Sequence, residues 1–253
     1  MRVVIIGAGN VATHFAKAFK AVDVQVAQVW SYHYQNALHL AHEAVAVAID
    51  DLAALDQNAD FCLLSIKDDS ISEITSQLAG FKGIIAHTSG SVSIKVFENL
   101  FDNYGVCYPL QTFSKNKSLS FSNIPLCLEA SNEKTLTYLK DVANKLSTDV
   151  REVDSEKRKI LHLSAVFACN FTNHLYALAG EILTENGLEF DILRPLIEET
   201  ASKVQNELPL NVQTGPAIRN DNETIKKHEE LLKQQPALLE IYKTLSNSIK
   251  NTR

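Results

Sequence analysis

Four consecutive β-branched residues, Val3-Val4-Ile5-Ile6, run straight into Gly7-Ala8-Gly9-Asn10-Val11-Ala12, and that junction restricts the fold of this 253-residue chain more than any other segment. A run without polar alternation suits a strand buried on both faces. A Gly-x-Gly-x-x-Ala string after such a strand supplies a tight turn at Gly7 and room for a ligand to approach the backbone at Gly9. It also places a small side chain at Ala12, where the following helix packs on the strand. The unpaired amides and positive dipole end of that helix attract phosphate. Gly7, Gly9, Asn10 and Val11 are therefore the expected seat of a pyrophosphate. Ordinary βα turns use the same letters, and it is the strand before and the helix after that favour the ligand.

The pattern repeats along the chain. Val24 to Trp30, Val45 to Ile49, Phe61 to Ile66, Ile84 to His87 and Val106 to Tyr108 are short apolar runs separated by helical segments. That alternation is the mark of a parallel, doubly wound sheet. Leu126 to Ala130, a helix from about Glu133 to Leu146, and Val150 to Val153 extend it. After Asp154 the strand pattern stops. Ser155 to Asn186 reads as one uninterrupted helix ended by Asn186-Gly187; Pro195 lies near the start of a second, Pro209 follows its end, and Pro236 separates a charged helix from a last one. The expected fold class is α/β: an N-terminal Rossmann doubly wound sheet over residues 1–154, followed by an all-α C-terminal domain over 155–253.

Composition narrows the partners. Hydrophobic residues make up 45% and charged residues 21%, the balance of a packed globular protein. A net charge of -6 and a basic run no longer than Glu156-Lys157-Arg158-Lys159 give no footprint for nucleic acid, and no apolar stretch approaches a membrane span. A small-molecule partner is expected. Cys62, Cys107, Cys127 and Cys169 are scattered, without metal or disulfide spacing, and read as small core residues. Met1-Arg2 leads at once into a strand, leaving no room for a secretory signal, so a cytoplasmic location is expected.

Ligands of doubly wound sheets gather at the carboxyl ends of the strands. The second strand ends in Trp30-Ser31-Tyr32-His33, without the carboxylate that usually holds the ribose 2′-hydroxyl of NAD, and Ser31 could instead bond a 2′-phosphate. NADP is therefore expected over NAD, which stays possible. Ile66, Lys67 and Asp68 after the fourth strand, and His87 and Ser89 after the fifth, would line the crevice, although Ser and Asp are also ordinary caps. At about 100° per residue, His162, Cys169, Asn170, Asn173 and His174 share an arc of roughly 140° on the long helix. Such a polar stripe needs a ligand or a polar surface opposite it. His162 and His174 lie about 18 Å apart on that helix, too far to share a metal ion. Arg219 suits a carboxylate or phosphate, or a structural pair with Asp221.

Four segments occur in order: His87-Thr88-Ser89-Gly90; Tyr108-Pro109-Leu110-Gln111-Thr112-Phe113-Ser114; Leu161 to Phe171; and Thr214-Gly215-Pro216-Ala217-Ile218-Arg219-Asn220-Asp221. With them the chain resembles a bacterial family of Rossmann-like proteins that carry a C-terminal domain of unknown function and are labelled as proposed NADP oxidoreductases. That family is similar to pyrroline-5-carboxylate reductase, the β-hydroxyacid and 6-phosphogluconate dehydrogenases and the deazaflavin-linked NADP reductases. The resemblance implies a helical dimerisation domain and hence a homodimer. It also departs from the family: Tyr32 stands where an arginine tends to follow the serine, Asn220 where a glycine tends to precede the aspartate, and the catalytic Lys and Asn of the β-hydroxyacid enzymes are missing. The expected activity is hydride transfer between NAD(P)H and a small carbonyl or imine substrate, with His87 or His162 as proton donor, Asn170 beside it, and Ser89, Gln111, Asn173, His174 and Arg219 holding substrate. A non-catalytic NADP-binding regulator and an S-adenosylmethionine methyltransferase are the rival readings.

Overall fold

The computed structural model describes residues 1–115 and 117–251, which form two compact units, Met1–Asn170 and Phe171–Arg253. The first is built on an eight-stranded sheet. Its elements run β1 (Arg2–Ile6), α1 (Asn10–Ala21), β2 (Gln25–Trp30), α2 (Tyr34–Ala44), β3 (Val47–Ile49), β4 (Phe61–Leu64), α3 (Asp68–Gln77), β5 (Ile84–His87), β6 (Tyr104–Pro109), β7 (Leu126–Ala130), α4 (Glu133–Leu146), β8 (Val150–Glu152) and α5 (Ser155–Ala165). The strand order is β3-β2-β1-β4-β5-β6-β7-β8.

The opening strand accounts for this architecture. Val3 and Ile5 sit in one core with Phe15 and Phe19 of α1, Leu40 of α2 and Leu139 and Val142 of α4. Val4 and Ile6 face the other way, into a second core with Ile71 and Ile74 of α3, Phe97 and Phe101. All four side chains of the run are fully buried, so β1 is covered on both faces, and its lack of polar alternation follows.

The sheet departs from the all-parallel expectation at one place, where β7 pairs antiparallel with β6, Tyr108 opposite Cys127, while β8 returns parallel to β7. A short core of Val106, Tyr108 and Cys127 forms there, against Ile94, Leu110, Val153 and Leu161 of α5. Helix α5 is thereby part of the sheet unit. Asp154 caps it through the Lys157 amide at 2.8 Å. One turn later Arg158, with no exposed surface, donates from Nη1 to Glu129 Oε2 on β7 at 2.5 Å and from Nη2 to the Val92 carbonyl at 2.6 Å.

The helix expected to run unbroken from Ser155 to Asn186 is interrupted. Residues Val166–Phe171 form a π turn, with i→i+5 bonding, between α5 and α6 (Thr172–Glu185). Asn170, Asn173 and His174 are all exposed in their own units. Cys62, Cys107 and Cys127 are buried as expected, but Cys169, inside the π turn, is exposed, which corrects its reading as a core residue.

The second unit continues with α7 (Arg194–Asn206), α8 (Asn222–Leu231) and α9 (Pro236–Asn251). Its punctuation matches the sequence. Gly187 takes φ +71° after α6, Pro195 lies in the first turn of α7, and Asp221 caps α8 by accepting from the Thr224 amide at 3.1 Å. Helices α8 and α9 meet through His228 Nδ1 and Tyr242 Oη, 2.9 Å apart. Large apolar side chains stay outside: Ile192 is 65% exposed and Leu196 62%. No helix among the described residues is long and apolar enough to cross a membrane.

Candidate active site

The carboxyl ends of the parallel strands form a bonded row. Gly7 N–H donates to the Trp30 carbonyl at 2.7 Å, Ser65 N–H to the Ile6 carbonyl at 2.7 Å, and Thr88 N–H to the Leu64 carbonyl at 3.0 Å. The ends of β2, β1, β4 and β5 thus open at one level, with Ser31, Gly7, Ile66 and Ser89 following them in the chain.

The two glycines of the turn serve different ends. Gly7 has φ +115°, and a Cβ there would lie 2.1 Å from the Ser65 carbonyl oxygen and 3.1 Å from Ile66 Cγ2, so the turn closes only on glycine. Gly9 has an ordinary extended backbone, and a Cβ there would meet nothing within 4 Å. It borders open space at the N-terminus of α1, a helix with no side-chain cap and no acidic residue in its first turn. Uncapped amides facing open space are what a phosphate group needs.

Asn10 and Val11 contribute their backbone to that helix start, but the Asn10 carboxamide is engaged elsewhere, donating to the Phe113 carbonyl at 2.9 Å. His14, one turn on, bonds the Ser114 carbonyl through Nε2 at 2.9 Å and packs on the Phe113 ring. The connection after β6 is therefore pinned to α1 at the phosphate end. His14 had no signal in the sequence, because its partner is 100 residues away.

At the end of β2, Ser31 is partly buried, and Tyr32 and His33 stand exposed with their rings edge to face. Beyond β4, Lys67 starts α3 without a capping bond, and Asp68 accepts a short hydrogen bond from the Ser91 hydroxyl. Ser89 Oγ accepts the amides of Ser91 at 3.1 Å and Val92 at 3.0 Å, so its acceptor capacity is spent on the loop. Gln111 folds back onto its neighbour, its Oε1 accepting the Thr112 amide at 2.8 Å.

The two histidines expected as proton donors lie in contrasting places. His87 is fully buried and stacked on Phe97, and its Nδ1 accepts the Ser89 amide at 3.1 Å. Burial, reinforced by the Arg158 charge, pushes its pKa down to about 3, so at neutral pH it is an uncharged core imidazole. His162 is half-buried on α5. Its Nδ1 lies 3.1 Å from Tyr108 Oη, and it covers Gly90, whose added Cβ would fall 2.7 Å from that nitrogen. Tyr108 was quoted in the sequence only as part of a motif. In the second unit, Asn173, His174 and Arg219 are exposed, and Asp221 is taken up by its cap and by the Thr224 hydroxyl at 2.8 Å rather than by a close pair with Arg219.

Strand order, glycine turn and strand-end row define a Rossmann-like α/β protein, and a Rossmann-like domain is matched over residues 1–112. Residues 124–249 match DUF2520, a domain of unknown function. A proposed NADP oxidoreductase from Bacteroides fragilis is 43% identical, with 98% of this chain and 97% of that chain covered and a TM-score of 0.94. The chain belongs to the family of Rossmann-like proteins carrying the DUF2520 domain. More distant structures share the fold: a 1-pyrroline-5-carboxylate reductase from Streptococcus pyogenes at 12% identity, covering 99% of this chain and 98% of that one with a TM-score of 0.66, and an imine reductase from Myxococcus stipitatus in complex with NADP+ at 13%, covering 99% and 92% with a TM-score of 0.66. A comparison with curated proteins finds no match.

Proposed function

We propose that the protein is an NAD(P)-dependent oxidoreductase that moves a hydride to or from the carbon of a small carbonyl or imine substrate. The observation that carries this reading is the open space at Gly9 beside an uncapped helix, next to a Gly7 that cannot be replaced. The backbone of Gly7, Gly9, Asn10 and Val11 would hold the pyrophosphate, Ser31 the ribose end, and Ile66, Lys67 and Asp68 the wall beyond β4. The Bacteroides relative is described as a proposed NADP oxidoreductase, and the Myxococcus imine reductase of this fold holds NADP+, while a variant of that same enzyme holds NAD+. With no carboxylate after Trp30, NADP is the preferred cofactor and NAD the second choice.

When bound, the nicotinamide supplies the hydride. The chain's own part is to orient the substrate and to handle one proton, for which half-buried His162 is better suited than neutral, enclosed His87. Asn170, Ser89 and Gln111 are the polar groups of the first unit assigned to the substrate, with Ser89 acting through its loop. Alanine variants at Asn173, His174 and Arg219 test the recognition role expected of those residues. The exposed apolar side chains of the helical unit, Ile192 and Leu196 among them, support a homodimer formed through that unit.

Calorimetric titration with NADPH tests the reading: a dissociation constant in the micromolar range or better, roughly -8 kcal/mol, is expected. Absence of binding to NADPH and NADH overturns it. Binding without turnover on a panel of carbonyl and imine compounds would favour a regulatory nucleotide-binding protein.

A further inference from the structure

We propose that Tyr108 is the positioning residue for proton transfer: its hydroxyl accepts the Nδ1–H of His162 and so keeps Nε2 as the nitrogen that gives and takes the proton. The inference rests on the oxidoreductase reading above and names the device that serves it.

The starting observation is a contact that the fold goes out of its way to make. Tyr108 is the next-to-last residue of β6 and His162 lies on α5, 54 residues later, and they meet at 3.1 Å because α5 is tied down one turn earlier. That tie is Arg158, whose guanidinium joins Glu129 on β7 and Val92 in the loop after β5. The same loop makes room for the ring. Gly90 does not have a left-handed backbone, so no turn demands a glycine there; what demands it is His162, which would lie 2.7 Å from any Cβ. A histidine that merely filled space would not need a glycine beneath it and a hydroxyl at its Nδ1.

The chemistry of the pair follows from the ring. An imidazole is set in one tautomer by whatever its other nitrogen bonds. Nε2 of His162 makes no hydrogen bond among the described residues, and the Nδ1–H form leaves it a lone pair. Burial raises the Tyr108 pKa to about 12, so the phenol stays neutral and accepts without adding a charge. A carboxylate in its place would hold the imidazole as a fixed cation. The charges facing the pair are Arg158, neutralised by Glu129, and Asp68 at the start of α3; His87 stays neutral.

Reduction adds a hydride to the substrate carbon and a proton to its oxygen or nitrogen. The proton leaves Nε2 of the His162 imidazolium, the ring becomes the neutral Nδ1–H form with its bond to Tyr108 Oη unchanged, and water returns a proton to Nε2. Oxidation runs the same transfers backwards. Tyr108 neither gains nor loses a proton in either direction.

The tautomer can be read directly by nitrogen NMR of histidine-labelled protein, with no cofactor present. Neutral His162 in the wild type is expected as Nδ1–H, and in Tyr108→Phe it should shift to a mixture dominated by Nε2–H, the form a free histidine side chain favours. Gly90→Ala, which pushes the ring off its site while leaving both groups in the chain, should give the same shift. With NADPH and an active substrate, Tyr108→Phe should lower kcat at least tenfold while the NADPH dissociation constant stays within twofold. Wild-type His162 already in the Nε2–H form, or identical nitrogen spectra in wild type and both variants, overturns the inference. Loss of NADPH binding by the wild type would instead sink the oxidoreductase reading and leave the tautomer result standing on its own.

Discussion

Replacing Glu129 by Gln leaves the shape of the β7–α5 junction nearly unchanged but strands a charge. Arg158 has no exposed surface, and its nearest counter-charge is Glu129 Oε2 at 2.5 Å; its other bonds go to the neutral Val92 carbonyl and, at 3.2 Å, to Ser155 Oγ. Ser155 Oγ also donates to Glu129 Oε2 at 2.7 Å, so one carboxylate oxygen serves two donors. Breaking a buried pair by removing one partner costs about 3–5 kcal/mol, because the remaining ion has neither water nor a partner. Gln keeps one acceptor oxygen, so about 3 kcal/mol is expected for Glu129→Gln. The reverse change, Arg158→Met, should cost less, about 2 kcal/mol, since Glu129 keeps 18% of its side-chain surface for water and the main loss is the bond to a buried carbonyl. The double variant should be less damaging than the sum of the two, by about 1 kcal/mol or more, as contacting partners require. Urea unfolding at neutral pH, followed by tryptophan fluorescence and circular dichroism, reads all three. The Glu129→Gln loss should persist at high salt, because a buried pair is poorly screened. A Glu129→Gln loss under about 1 kcal/mol would show that the guanidinium is hydrated and that α5 is not held by this pair.

The other predictions concern the site and the assembly. Gly9→Asp should abolish NADPH binding in calorimetry with an unchanged melting temperature, because the new side chain enters open space; by contrast Gly7→Ala, 2.1 Å from a backbone oxygen, should lower the melting temperature as well. Leu196→Asp and Ile192→Asp should convert a dimer seen by light scattering into a monomer, and a wild type that is monomeric at micromolar concentration contradicts the assembly. Because the folded His87 pKa is depressed to about 3, the unfolded chain binds a proton there that the native one refuses as pH falls below the usual histidine range. Stability should therefore be intact above about pH 6.5 and drop by up to about 1.4 kcal/mol per pH unit below it, and His87→Leu should lose that part of the slope.

Much of this protein can be read along the chain, and what cannot has a common cause. Val3 to Ile6 announced a doubly covered strand because the absence of alternation is itself a burial pattern, and the turn at Gly7 is set by residues that touch in sequence. Strand direction leaves no such mark, so the reversal at β7 was invisible in Leu126 to Ala130. Nothing in Val166 to Phe171 signals a π turn. Arg158 was hidden inside the charged run Glu156 to Lys159, where three residues are solvated and the fourth is the most buried cation of the chain's first unit. The Tyr108 and His162 pair was missed because both residues lay in motifs weighed separately. The one available clue was Gly90, a glycine that no turn requires and that only a neighbour from a distant segment explains.

The strand order also bears on how the sheet is made as the chain emerges from synthesis. β2 and then β3 add outward on one side of β1, β4 pairs on its other side, and from β5 onward each new strand joins the edge left by its predecessor, through to β8. No strand has to be inserted between two that are already paired, so vectorial growth never asks the sheet to reopen. The two edges at which growth ends, β3 and β8, are only three residues long, and β8 carries Arg151 and Glu152. Strands this short, one of them charged, give a neighbouring nascent chain little to pair with, so the order that makes assembly sequential also ends it in edges resistant to aggregation.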